Sequence, residues 1–260
     1  MKQLLVVGGG TGLGGAVVKT LLDREHRVVV LGKTKPADDL RIQKFYGLDA
    51  TSVEWTSLYS EIERETGAPI DAVIFVAGSG VFGKAALIPI ERARQVFELN
   101  FWACASAARA AADYWSERGH AGKYLAILSI AARRAVPFES YYSASKAATA
   151  RYLECLQLEY AHKKIEFLCA YPGLLNTGFR RNAEWYGFAP TFADEGADVR
   201  KTAQAVLDLL EGKRKARVLG WRERVIDLAD RVAPGLYDRV VLRSRVEKLL
   251  NALPSVEGKQ

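Results

Sequence analysis

The most constraining feature of this chain is its opening, where the apolar run 3–7 meets Gly8-Gly9-Gly10-Thr11-Gly12-Leu13-Gly14 and re-emerges with helical spacing through residue 24. An apolar run that ends in glycines and continues as a helix reads as a buried strand turning sharply into a helix. Glycines at such a turn let backbone N–H groups approach a pyrophosphate, whose charge the helix N-terminus favours. The spacing Gly8, Gly12, Gly14 is G-x-x-x-G-x-G rather than G-x-G-x-x-G. Glycine turns also serve purely structural ends, so this loop alone leaves the choice open.

The same alternation continues down the chain. Residues 26–31 form a β-branched run and 45–48 a third apolar one, and 58–65 has helical spacing. The run 72–76 ends in Ala77-Gly78-Ser79-Gly80, and a long helix pattern fills 90–118. Strand patterns at 123–129 and 165–171 bracket a second long helix pattern at 143–163, and Pro172-Gly173 closes the last. Strands alternating with helices predict an α/β fold, a doubly wound and mostly parallel sheet flanked by helices. No repeat or linker divides residues 1–260, so the expectation is one domain.

Composition narrows the function classes. The formal charge of +7 is concentrated in the arm 213–248, which holds eleven Lys/Arg against five Asp/Glu. No zinc-ligand cluster or RNA-binding aromatic signature accompanies it, so nucleic acid is not the expected partner. No stretch reaches the ~18 apolar residues of a membrane-spanning helix, and the strand pattern beginning at residue 3 argues against a signal peptide. Cys104, Cys155 and Cys169 have no metal-like spacing. They read as buried structural thiols in a reducing compartment, the cytoplasm.

Chemistry concentrates at Tyr142-Ser-Ala-Ser-Lys146, where positions i and i+4 of a helix put an ammonium on the phenol's side. Tyr-x-x-x-Lys recurs at Tyr160 and Lys164, but the company differs. Ser129 precedes Tyr142 by thirteen residues, at a strand end, whereas Ala147 holds the matching place before Tyr160.

With these residues in order, the chain resembles the short-chain dehydrogenase/reductase family in its compact single-domain branch. The landmarks run over about residues 4–180: Gly8, Gly12 and Gly14, Asp49, Ala77-Gly78, Asn100, Ser129, Tyr142 with Lys146, and Pro172-Gly173 with Thr177. The resemblance implies a Rossmann-type sheet of about seven parallel strands and an oxidoreductase of C=O or CH–OH groups. It implies Tyr142 as acid/base, Ser129 orienting the reacting oxygen, and Lys146 holding the nicotinamide ribose. Asn100 corresponds to the residue holding a water that links the lysine to solvent, though a satisfied polar residue inside the helix is the bland alternative. Thr177 corresponds to the nicotinamide-amide contact or an N-cap, and Asp49 to a neighbour of the adenine or a turn cap. Leu13 belongs to the cofactor loop. The expectation for Tyr142 is a lowered pKa, because an adjacent ammonium together with the positive ring of the oxidised cofactor favours phenolate.

An acid normally ends the second strand of an NAD enzyme. Gly32-Lys33 stands there instead, with Thr11 able to add a hydroxyl, so NADP(H) is expected over NAD(H). Val7 and Phe75-Val76 replace polar residues that brace loops in the family, and the stretch between Lys33 and Ile42 is short for a crossover helix. Phe179, Trp185, Tyr186, Phe188 and Phe192 suggest a lid over an apolar substrate, with core packing as the alternative. The basic arm 213–260, with Trp221, Val225, Leu228 and Val232 at helical spacing, is expected to pack in a homodimer or homotetramer. Contact with a membrane surface is its alternative. A non-catalytic NADP-binding sensor on the same fold is the competing function.

Overall fold

A computed structural model describes residues 1–37, 41–187, 196–212, 214–233 and 235. The elements in order are β1 (Gln3–Val7), α1 (Gly12–Asp23), β2 (Arg27–Leu31), β3 (Lys44–Tyr46), α2 (Trp55–Thr66), β4 (Ala72–Phe75), β5 (Val81–Gly83) and α3 (Ile90–Phe97). They continue as α4 (Cys104–Glu117), β6 (Gly122–Ile127), α5 (Ser140–Glu159), β7 (Ile165–Tyr171), β8 (Glu184–Tyr186), α6 (Val199–Glu211), β9 (Ala216–Val218) and α7 (Trp221–Val232).

Seven strands form one parallel sheet in the order β3-β2-β1-β4-β6-β7-β9. The strands read as continuous apolar runs because both faces are covered. Alternate residues serve the two faces. Leu5, Val7, Val29 and Phe75 join a core with Trp55, Tyr59 and Trp115 from α2 and α4. Leu4, Val6, Val30 and Ile74 join another with Val17 and Leu21 of α1 and Val206 of α6. Fully buried alanines, Ala107, Ala108 and Ala112, keep the α4 surface facing the sheet small. Strand order reverses between β1 and β4, so the loops leaving their carboxyl ends open a crevice, the usual ligand position in such sheets.

Several boundaries differ from the sequence reading. The third strand is Lys44–Tyr46 rather than 45–48, and α5 begins at Ser140, which places Tyr142 inside its first turn. The helix expected over 90–118 is interrupted at Glu98–Ala103 by a π turn. Periodicity cannot show one extra residue in a turn, and π turns gather at functional sites. Cys104 and Cys169 are buried, but Cys155 is exposed. The helix α5 buries Tyr142, Ser145, Lys146, Thr149, Leu153 and Leu156, and Cys155 lies off that face. Among the described residues no helix joins β2 to β3, as the short connection required. Phe188, Phe192 and most of the arm beyond residue 233 lie outside the described residues.

Candidate active site

The crevice holds a cleft of about 950 Å³ lined by the glycine loop, the loops after β4 and β6, α5 and the segment after β7. Its floor is built by close backbone approach. Gly8 has φ +84°, and a Cβ there would stand 2.6 Å from the Ala77 nitrogen. A Cβ on Gly14 would fall 1.9 Å from the Gly8 carbonyl oxygen. Those two glycines are therefore required by packing. Gly12 is different: at φ +54° its Cβ position meets only Thr177, at 3.6 Å, and a side chain there would fill the cleft. Thr11 starts α1 without capping it, and the first turn carries no acid. The opening amides of α1, at Gly12, Leu13 and Gly14, thus keep the positive end of a twelve-residue helix toward the cleft. An anionic pyrophosphate fits that cradle.

Three further positions, Asn100, Val7 and Lys146, converge on the loop after β4. Asn100 is buried, and its side chain grips Ser79 from both sides: Oδ1 accepts from the Ser79 amide and Nδ2 donates to the Ser79 carbonyl, each at 2.9 Å. Nδ2 also donates to Ser145 Oγ at 3.0 Å, while the Asn100 carbonyl accepts from Thr149 Oγ1 at 2.8 Å. The side chain is satisfied by the loop after β4 and by α5, not within its own helix. It supplies the bracing that Phe75-Val76 cannot. Val7 contributes through its backbone, its carbonyl accepting from the amides of both Val76 and Ala77. Lys146 reaches the other side of the same loop, and a Cβ on Gly78 would lie 3.2 Å from both its Nζ and Asn100 Oδ1. The ammonium donates to the Ile127 carbonyl at 3.0 Å, and burial pushes its pKa down to about 8.

Tyr142 is buried, with Phe82 and Phe179 against its ring at centroid separations of 5.6 and 5.7 Å. Burial pushes the phenol up from its ordinary value; the Ser129 hydroxyl and Arg180 oppose this, and Glu139 adds to it. The lowering expected from Lys146 together with the oxidised cofactor ring concerns the loaded site; in the protein alone, desolvation outweighs the favourable partners. Ser129 also caps the turn after β6, its Oγ accepting from the Ala131 amide at 3.1 Å. The arrangement brings a shielded phenol, a hydroxyl and an ammonium to one end of the cleft, the groups that exchange and orient a proton. The decoy pair is elsewhere: Tyr160 ends α5 and packs on Phe167.

At the other end, Asp49 caps the turn at Ala50–Ser52, accepting from the Thr51 amide at 3.1 Å, and pairs with Lys33 at 2.7 Å. Lys33 and the Thr51 bonds hold its carboxyl below the usual range. Thr177 accepts from the Phe179 amide at 3.2 Å, and the Pro172 carbonyl accepts from the Ile130 amide at 2.9 Å. Gly173 lies under Glu223 of α7, whose carboxylate oxygen would be 2.2 Å from a Cβ there.

A family model for short chain dehydrogenases matches residues 2–185. The chain belongs to the short-chain dehydrogenase/reductase family. Its oxidoreductase fold is the one the sequence implied. A short chain dehydrogenase from Burkholderia cenocepacia, solved in complex with NADP, superposes with a TM-score of 0.77 at 26% identity, covering 95% of this chain and 99% of that one. The 3-ketodihydrosphingosine reductase of Bacteroides thetaiotaomicron is 29% identical over 181 residues, 69% of this chain and 66% of the relative. Dehydrogenase/reductase SDR family member 7B of Mus musculus is 31% identical over 188 residues, 69% of this chain and 57% of the relative. The match therefore spans less than two thirds of the length of either curated relative.

Sequence reasoning missed the charged wall beside Tyr142. Glu139 and Arg180 pair at 2.7 Å, and Arg92 pairs with Glu184. Neither pair has a spacing that periodicity reveals, since 41 and 92 residues separate the partners. Glu223 and Ile226 of α7 also line the cleft, beyond the stretch matched by the family model.

Proposed function

We propose that this short-chain dehydrogenase/reductase is an NADP(H)-dependent oxidoreductase of an apolar carbonyl or alcohol, with Tyr142 as its acid/base. The observation that carries the reading is the buried Tyr142 phenol, set between Ser129 and an aromatic wall, with Lys146 behind the neighbouring loop. When bound, NADP(H) supplies or accepts the hydride. The α1 amides hold its pyrophosphate, and Lys33, with Thr11 nearby, favours the 2′-phosphate. Lys146 holds the ribose, and Ala77-Gly78, Pro172-Gly173 and Thr177 line the ring's place.

Ser129 donates to the carbonyl oxygen and fixes its direction toward Tyr142. The phenol gives its proton to that oxygen in reduction and takes it back in oxidation. A raised phenol pKa suits the first direction, because the group stays protonated at neutral pH. Phe82, Phe179, Val136 and Ala183 give the cleft an apolar wall, and the Bacteroides relative is named for reduction of a keto compound. In this reading the protein works in the cytoplasm as a homodimer or homotetramer. The apolar residues that α7 exposes, Val225, Leu228 and Val232, support packing of the arm against a second copy.

Following NADPH absorbance against long and short ketones, aldehydes and alcohols tests the reading. Turnover that rises with apolar chain length supports it. NADPH binding without turnover on any of them favours the sensor instead.

A further inference from the structure

Among the described residues, polar ties fasten the segment after β7 beside Tyr142. Strand β8 pairs in parallel with β5, Val81 opposite Glu184 and Gly83 opposite Tyr186. Arg92 holds Glu184. Between these ties and Thr177 stands Arg180, whose guanidinium lies over the rings of Phe82 and Trp185, 5.2 and 5.1 Å from their centroids. Its Nη1 donates to Glu139 at 2.7 Å, and its carbonyl accepts from Trp185 Nε1 at 3.0 Å.

Glu139 is an unusual partner. It is only 7% exposed and immediately precedes α5, three residues before Tyr142. The preceding residue, Phe138, has φ +68°, a conformation uncommon for a residue with a side chain. The Phe138 carbonyl is held there by the Gly83 amide at 2.8 Å. A backbone kink, a strand residue and a lid arginine thus combine to present a buried carboxylate to the catalytic turn. Burial raises that carboxylate's pKa and Arg180 opposes the rise.

We infer that the Arg180–Glu139 pair is a positioning device for Tyr142: it latches the lid segment to the start of the catalytic helix and balances the charge beside the phenol. The inference rests on Tyr142 being the acid/base. Groups acting on that phenol are Ser129 after β6, Glu139 at the start of α5 and Arg180 after β7, and Lys146 of α5 lines the same cleft. Farther around the cleft stand Arg134, Glu223 and the Arg92–Glu184 pair. Within this set Glu139 raises the phenol's pKa and Arg180 lowers it. Removing either partner alone therefore moves the balance in opposite senses.

The test compares Arg180→Met, Glu139→Gln, the double variant and Arg180→Lys in the full chain. The first readout is kcat and KM for NADPH-dependent reduction of a long-chain methyl ketone at pH 7, below the value at which Lys146 loses its proton. Arg180→Met and Glu139→Gln should each lower kcat by about tenfold, with affinity for NADPH nearly unchanged. The double variant should fall no further than the weaker single one, and Arg180→Lys should stay near wild type. Wild-type kcat in both single variants, or a loss in Arg180→Lys equal to that in Arg180→Met, overturns the inference.

The second readout needs no turnover: amide hydrogen exchange across residues 177–187. Exchange at least tenfold faster in Arg180→Met than in Arg180→Lys supports the latch, and equal exchange overturns it. Tyr142→Phe separates the levels. If that variant keeps its activity, the acid/base reading fails; if it is inactive while Arg180→Met matches wild type in both readouts, the latch alone fails.

Discussion

The Lys33 ammonium lies 2.7 Å from the Asp49 carboxylate, so the cation expected at the 2′-phosphate is already engaged by an anion. The Lys33 side chain is 73% exposed, and an exposed pair of this kind is weak. A phosphate carrying two charges competes with one carboxylate for the same ammonium.

Lys33→Asp should therefore reverse a preference for NADPH over NADH. Asp49→Asn, by releasing Lys33, should tighten NADPH and leave NADH nearly unchanged. A charge-assisted contact is worth ~1.5–3 kcal/mol before solvent screening, so changes of about tenfold are expected. Titrating both cofactors into wild type and the two variants checks this. Equal affinities in wild type would remove Lys33 from the cofactor site.

Lys146 in its proposed place at the ribose should make cofactor binding depend on pH. Burial lowers its pKa to about 8, so the free protein loses this charge as pH rises through that value. Bound ribose favours the charged form, which raises the pKa in the complex, and affinity should fall above pH 8. Lys146→Ala should bind more weakly throughout and lose this dependence. Isothermal titration at several pH values between 6.5 and 9.5 reports it.

The same burial has a consequence for stability. A lysine with a depressed folded pKa binds fewer protons than its unfolded counterpart between about 8 and ~10.4. Its contribution is least favourable below pH 8 and improves as pH rises through that window. Lys146→Met, which keeps the stem, should unfold at a higher temperature than wild type at pH 7, with the gap narrowing toward pH 10. A gap that widens with pH would contradict the sign.

Asn100→Ala leaves the Ser79 amide and carbonyl without their partner at the base of the cleft. Each buried polar group left unsatisfied costs about 1–3 kcal/mol. Melting should fall by several degrees, and turnover should fall further than stability explains, because Ser79 follows the Gly78 that separates Asn100 from Lys146. Thermal unfolding beside steady-state kinetics separates the two effects.

The fold was legible in the sequence because its strands are buried on both faces and its glycines fall where backbone meets backbone. Gly8 and Gly14 have Cβ positions inside neighbouring backbone, so their place in the motif follows from packing alone. Ser129, Tyr142 and Lys146 were legible from one strand end and one helix repeat. The π turn around Asn100 was not, since it alters a single turn of an otherwise regular helix. Glu139 and Arg180 were hidden for another reason: contacts across 41 residues depend on where the segment after β7 returns, which no local pattern specifies. Phe179 and Trp185 pack on Phe82, as the packing alternative expected, and Phe179 also lines the cleft.

The central claim is proton exchange at Tyr142, and steady-state kinetics of Tyr142→Phe beside cofactor titration tests it most directly. Phenylalanine keeps the ring between Phe82 and Phe179 and deletes the hydroxyl. General acid–base groups contribute about 10²–10⁴ in rate, so turnover should fall at least a hundredfold with NADPH affinity unchanged. Tyr160→Phe, at the far end of the same helix, should keep near-normal turnover. A Tyr142→Phe variant that retains most of its activity would contradict the account.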